Sequence, residues 1–360
     1  DDADWELTAR GDGSVIDTVK ARAVFRQIAE ASWECADPGI QFDTTINHWH
    51  TAAATGPITG SNPCFTGDTK VHTDKGLVSF RDLVDRVNCG EQFKVWTHDV
   101  TDPTKERHAV ELTSPDAVMV TGHNPVLRLE FANGGVVRAT PNHRFWTMNR
   151  GWVAAEDLDE HDRIRTLDLA TPAEAADLAI PVASDYLWWR EKGDRHEGLD
   201  LPEVWTDEFA HYLGWLIGDG STSGSTTSTI YGNADDRTEI LPRHLDLLAE
   251  IMGMSPKPSE QSNGTVQLRC GRAPFKRFLE ALGVKSVTGA DMAVPWAINE
   301  APPEVVGAFL RGLFDADGTA RFDLEKGSYV GLGSISLELL RGVQRLLTTF
   351  GISSRIYAQH

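Results

Sequence analysis

Apolar positions recur at steps of three and four from Ser14 to Ala29, with Lys20, Arg22 and Arg26 on the other face. That spacing predicts an amphipathic helix packed on a core. Asp37-Pro38-Gly39 then marks a turn, with an extended stretch after it. Further on, the period falls to two. Val95-Trp96-Thr97, Val118-Met119-Val120, Val126 to Phe131 and Gly135 to Ala139 alternate as β-strands joined by Gly, Asn and Asp turns, and Asn133-Gly134 is a hairpin signal. The pattern changes again near Phe209. Phe209-Ala210-His211-Tyr212-Leu213-Gly214-Trp215-Leu216-Ile217-Gly218-Asp219-Gly220 returns as Phe309-Leu310-Arg311-Gly312-Leu313-Phe314-Asp315-Ala316-Asp317-Gly318, an internal duplication. Strand-like Thr226–Gly232 and Thr265–Cys270, and helices around Pro242–Met252 and Pro274–Leu282, lie between the two copies. Ser334 to Tyr357 closes as an amphipathic helix and a strand.

Composition narrows the classes. A chain of 360 residues, 41% of them hydrophobic, has room for two to three domains with buried cores. It contains no apolar run long enough to span a membrane. Asp1-Asp2-Ala3-Asp4-Trp5 lacks the basic and apolar regions of a signal peptide, and no initiator Met precedes it. Cys35, Cys64, Cys89 and Cys270 are scattered, which suggests neither a disulfide framework nor a zinc site and fits the cytoplasm. The excess of 53 acidic over 34 basic residues gives a net charge of −19. Alone, that argues against a nucleic-acid partner; it equally suits a protein kept soluble in high salt.

The text changes character at Pro63–Cys64. Before it, "WECADPGIQFDTTINHWHT…ITGSNP" resembles the catalytic subunit of ribonucleoside-diphosphate reductases of the adenosylcobalamin-dependent class. The resemblance implies an α/β barrel whose Asn-x-Cys-x-Glu motif holds a thiyl-radical Cys. Asn62 matches the substrate-binding Asn, but Phe65-Thr66 supplies no x-Glu, so the motif is interrupted. After it, "CFTGDTKVHTDKGLVSFRDLV" resembles the opening block of an intein. Ala139-Thr140-Pro141-Asn142-His143 matches that family's Thr-x-x-His block, and Gly151 to Ile164 its next conserved stretch. The resemblance implies the mostly-β Hedgehog/intein (HINT) fold. It makes Cys64 the nucleophile of an N–S acyl shift at Pro63–Cys64, His143 the general acid, and Thr140 and Asn142 positioning groups, with no cofactor for splicing. A thiolate is the reactive form of Cys, and imidazole donates protons near neutral pH. Pro63 as acyl donor restricts the junction.

The duplicated motif resembles those of the LAGLIDADG homing endonucleases, "LRGLFDADG" most closely. Each copy reads as a helix ending at Asp-Gly, the Gly supplying the C-terminal turn. Small residues four apart (Gly214 and Gly218; Gly312 and Ala316) let the two helices cross closely. Asp219 and Asp317 are then brought together, where a divalent cation, Mg²⁺, relieves their repulsion and activates water against a phosphodiester. The implied fold is two α+β halves, and the implied partner is double-stranded DNA, the intein-free host gene. Two departures qualify this. Met292 stands where active members often carry Lys, with Lys257, Lys285 or Lys326 as substitutes. Ala358-Gln359-His360 also closes the sequence without the His-Asn ending of inteins, so the C-terminal intein segment and C-extein are expected as partners on a longer or a separate chain.

The expected division is 1–63 reductase fragment (N-extein), 64–170 splicing region, 171–205 linker or DNA-contact segment, and 206–360 endonuclease. Tyr186-Leu187-Trp188-Trp189 beside Arg190 and Lys192 fits either description of the third segment. A Hedgehog-like autoprocessing domain, or an intein with an inactive endonuclease, is the alternative.

Overall fold

The computed structural model describes residues 3–8, 14–35, 64–98, 110–115, 118–167, 169–174, 178–181, 199–222, 226–285, 289–323 and 327–357. The chain divides into two compact units, Asp1–Asn62 and Pro63–His360, a border one residue ahead of Cys64.

In the first unit β1 (Asp4–Thr8) pairs antiparallel with β2 (Val15–Lys20), and α1 (Ala21–Cys35) follows directly. The helix expected from Ser14 therefore starts at Ala21. Val15, Ile16, Thr18 and Val19 are β-branched and stiff at χ1, which favours a strand once a partner strand is present. The Asp37-Pro38-Gly39 turn, Asn62 and Pro63 lie outside the described residues.

The second unit begins with β3 (Lys70–Thr73), β4 (Gly76–Ser79), α2 (Phe80–Asn88), β5 (Val95–His98) and β6 (Val110–Thr113). The four strands form an antiparallel sheet in the order β4-β3-β5-β6. The Ser79 hydroxyl caps α2 by accepting from the Asp82 N–H at 3.1 Å. Val78, Leu83 and Phe93 fill the core beneath. Two hairpins follow: β7 (Leu127–Glu130) with β8 (Val136–Ala139), closed around Asn133-Gly134, and β9 (Arg144–Thr147) with β10 (Gly151–Ala154). The strand expected at Val118-Met119-Val120 does not form. The segment joins no ladder, and Met119 and Val120 are exposed.

The duplicated region runs α3 (Asp207–Asp219), β11 (Gly220–Ser221), β12 (Thr227–Tyr231), α4 (Leu241–Met252), β13 (Ser259–Glu260), β14 (Val266–Cys270) and α5 (Ala273–Ala281). It continues with α6 (Trp296–Asn299), α7 (Pro303–Asp317), β15 (Gly318–Arg321), β16 (Tyr329–Leu332) and α8 (Leu337–Thr349). The first copy's sheet has the order β11-β12-β14-β13. Helices α3 and α7 cross at the centre, around fully buried Phe209, Tyr212, Trp215, Phe309 and Leu313. Glycine is required at the crossing: a Cβ on Gly214 would stand 2.0 Å from the Phe309 carbonyl oxygen, and one on Gly312 2.0 Å from that of His211.

The glycines that end these helices act differently from expectation. Gly220 and Gly318 are not left-handed but extended, at φ −118° and −81°. A side chain there would strike the Leu216 or Phe314 carbonyl, at 2.1 and 2.2 Å, as the chain leaves each helix for a strand. What matters is the missing Cβ, not a positive φ.

Residues 64–170 and the duplicated region pack as parts of one unit. Leu77 of β4 belongs to the large core of the duplicated region. The Arg86 guanidinium pairs with Glu300 at 2.7 Å, while His72 Nδ1 lies 2.8 Å from Thr171 Oγ1 in the segment that connects the two regions. Beyond α8 the expected strand is absent; Ile352 to Tyr357 runs as coil, and the Ile356 N–H donates to the Asn133 carbonyl at 2.9 Å. Among the described residues no helix is long and apolar enough to cross a membrane.

Candidate functional sites

The first site forms where the start of the second unit meets the end of β8. An isolated bridge sets Phe65 against Ala139. The Cys64 N–H donates to Thr140 Oγ1 at 3.0 Å, and the Thr140 N–H donates back to the Cys64 carbonyl at 2.9 Å. Thr140 is buried, so this reciprocal pair fixes the plane of the Cys64 amide away from bulk water. A tight turn follows, closed by the His143 N–H on the Thr140 carbonyl at 3.0 Å, and Asn142 is exposed within it. The His143 ring packs at a tilt against Phe65, ring centroids 3.9 Å apart, and lies 5.2 Å from that of Phe145. The Ala155 N–H holds the His143 carbonyl at 2.7 Å.

Burial holds the His143 imidazole below its ordinary pKa, against an opposing pull from the Cys64 backbone. Its Nδ1 is buried and meets no partner at hydrogen-bond geometry among the described residues. The ring is therefore neutral near pH 7, able to take a proton and return it. The Cys64 Sγ lies 3.0 Å from the Thr121 hydroxyl. Thr121 is the residue that sequence reasoning missed. It directly follows the Val118-Met119-Val120 segment misread as a strand, and only the fold brings it to the thiol. Three of the expected residues, Cys64, Thr140 and His143, thus converge. Asn62 lies outside the described residues, as does the Cys35 side chain.

The second site is at the ends of α3 and α7. The Asp317 carboxylate reaches over Gly218, with Oδ2 3.4 Å from where a Cβ of that glycine would be. It thereby lies beside Asp219. Burial first, and then the charges of Asp317 and Asp236, push the Asp219 carboxyl up to about 6; burial also raises Asp317. Two carboxylates this uncompensated suit a hard, oxygen-liganded cation. Mg²⁺ needs only one or two protein carboxylates when phosphate and water complete its shell. Among the described residues no three or more His, Cys, Asp or Glu side chains converge as a metal-binding group.

Met292 is buried in the core, 44 positions before Ser336, whose hydroxyl donates to the Met292 carbonyl at 2.6 Å. Of the lysines named as substitutes, Lys285 has its carbonyl tied to the Thr222 hydroxyl at 3.1 Å, just beyond Asp219. Lys257 is exposed, and Lys326 lies outside the described residues.

Residues 4–71 match the barrel domain of ribonucleotide reductase, and residues 304–360 match the LAGLIDADG-like domain. The vitamin B12-dependent ribonucleotide reductase of Streptomyces avermitilis is 62% identical over 58 residues, 16% of this chain and 6% of that protein. The replicative DNA helicase DnaB of Rhodothermus marinus is 30% identical over 306 residues, 81% of this chain and 28% of that protein. A reductase and a helicase share no chemistry, yet this chain resembles one briefly and the other over most of its length. An inserted element common to different hosts accounts for both. The chain carries an intein set in a ribonucleotide reductase fragment, with a LAGLIDADG-like domain inside it. A crystal structure of a DnaB intein from Synechocystis sp. PCC 6803 aligns at 26% identity over 30% of this chain and 70% of that chain, with a TM-score of 0.25. The sequence matches, rather than that superposition, carry the assignment. The intein and its reductase flank together span only 8% or less of the first reductases matched.

Proposed function

We propose that Cys64 starts protein splicing by an N–S acyl shift at Pro63–Cys64. The sulfur attacks the Pro63 carbonyl carbon, a C–S bond forms, and the C–N bond to Cys64 breaks. The thiol proton passes to His143, which returns a proton to the departing Cys64 nitrogen. Thioester and free amine are then isomers of the starting peptide, so atoms and charge balance. Thr140 holds that nitrogen in place throughout, Asn142 shapes the turn that carries His143, and Thr121 orients the sulfur. The observation carrying this reading is the bond from the Cys64 N–H to Thr140 Oγ1 with His143 one turn on. Incubation with a thiol or hydroxylamine should cut the chain at Pro63–Cys64, and Cys64→Ala should abolish the cut. An uncut wild-type chain under thiol overturns the reading.

Asp219 and Asp317 serve a second activity, hydrolysis of double-stranded DNA at the intein-free host site. The pair would hold Mg²⁺, which when bound supplies charge neutralisation and an activated water. Lys285, whose carbonyl is tied to the Thr222 hydroxyl three residues past Asp219, is the candidate basic group. Buried Met292 favours a second reading, a retained fold without cleavage. Nicking of an intein-free target with Mg²⁺, lost in Asp219→Asn or Asp317→Asn, separates the two.

The extein flank would regain its chemistry after splicing. Asn62 then lies in a reductase active site that uses adenosylcobalamin, completed by the C-extein once the C-terminal intein segment has served the excision. The 360-residue chain itself should form no deoxynucleotide.

A further inference from the structure

A line of hydrogen bonds crosses the buried core of the endonuclease from its sheet to the second motif helix. Thr229 Oγ1 lies 3.0 Å from the Tyr231 hydroxyl, and that hydroxyl lies 2.9 Å from His244 Nδ1. His244 Nε2 is 3.1 Å from His211 Nδ1, and His211 Nε2 is 2.9 Å from Asp315 Oδ2. Thr229, Tyr231, His244 and His211 are all buried, while Asp315 is half-exposed.

One end of the line fixes its direction. The Asp315 carboxylate accepts, so His211 must donate from Nε2 and accept at Nδ1. His244 then donates from Nε2 and accepts at Nδ1, which the Tyr231 hydroxyl supplies, and Tyr231 accepts from Thr229. Each ring uses one proton, and each link has one donor. Burial keeps both rings neutral, His244 with a pKa of about 3. Turning either ring over would set lone pair against lone pair in the core, a costly mismatch.

The two motif helices are related by the duplication, which aligns Gly214 with Gly312, His211 with Phe309, and Asp315 with Ile217. On one side of the crossing an apolar pair, Phe309 and Ile217, fills the space, both buried. On the other side stand His211 and Asp315. Packing alone is met by the apolar pair, so the polar pair needs a different reason. His211 also touches α7 twice: its carbonyl presses on Gly312, and its ring grips Asp315 one turn later. Asp317 follows two residues on.

We propose that His211 is a positioning residue: held in one tautomer by His244, Tyr231 and Thr229, it pins Asp315 and thereby sets the last turn of α7, so that Asp317 is presented to Asp219. This rests on the reading of Asp219 and Asp317 as a cation-binding pair.

Ring ¹⁵N shifts of the full chain at neutral pH test the line directly. Both His211 and His244 should be neutral with the proton on Nε2; a charged ring, or the opposite tautomer at either, overturns the proposal. Mn²⁺ binding followed by electron paramagnetic resonance tests the positioning. His244→Leu should weaken Mn²⁺ about tenfold, the usual scale for groups that orient a ligand. His244→Gln, which can donate to His211 and accept from Tyr231, should bind as wild type does. Thermal melts are taken alongside. If His244→Leu lowers the melting temperature yet binds Mn²⁺ as tightly as wild type, the residues are structural and the proposal fails while the metal reading stands. If wild type and Asp219→Asn bind Mn²⁺ equally poorly, the metal reading fails and takes the positioning role with it.

Discussion

Thr140 spends its hydroxyl on a single amide, that of Cys64. Losing one partner of a partly buried hydrogen bond costs about 1–3 kcal/mol. Thr140→Ala should therefore slow thiol-induced cleavage at Pro63–Cys64 by about tenfold or more, with Thr140→Ser restoring most of the rate, as read from the time course of fragment release. Histidines supply a second effect at this scale. Burial depresses His72 to about 4 and His244 to about 3. In the unfolded chain each titrates near ~6.5, so between there and the native values the unfolded state binds more protons. Stability is complete above that window and is lost as the pH falls through it. His72→Gln should flatten the acid loss in chemical melts by ~2 kcal/mol, allowing for residual solvent contact.

Among the elements, the crossing of α3 and α7 tolerates least. Gly312→Ala places a methyl carbon at 2.0 Å from a backbone oxygen, which no rotamer can relieve. It should cost about 3 kcal/mol, measured as a shift in the urea midpoint. This crossing was legible in the sequence, because small residues four apart leave a signature in one strand of text. The hairpin at Asn133-Gly134 was legible for a similar reason, since turn chemistry is local. Ser14 to Lys20 was not: three-four spacing and β-branching point opposite ways there, and pairing with Asp4–Thr8 decides. Nor was the line from Thr229 to Asp315, whose members come from one strand and three helices. A registry between elements has no period along the chain. At the splicing site Cys64, Thr140 and His143 were readable as motifs, whereas Thr121 was visible only once the chain had folded back on the thiol.

At the scale of the molecule, the two proposed chemistries would be carried by separate groups within one unit. Asp219→Asn should abolish DNA nicking and leave thiol-induced cleavage at Cys64 unchanged, and Cys64→Ala should do the reverse; gel assays of both reactions on the same preparations decide. With a net charge of −19, attraction to DNA must come from a local basic surface, and binding should fall steeply with added salt. The contacts between the splicing region and the duplicated region have a further bearing on heredity and engineering. Arg86 leans on Glu300, and Leu77 is sealed by the neighbouring core. An endonuclease gene that decays by deletion would strip both of their covering at once. A trimmed descendant must then replace them, with a surface-tolerant residue for Leu77 and an uncharged or newly paired one for Arg86, before it can be inherited as a small splicing element.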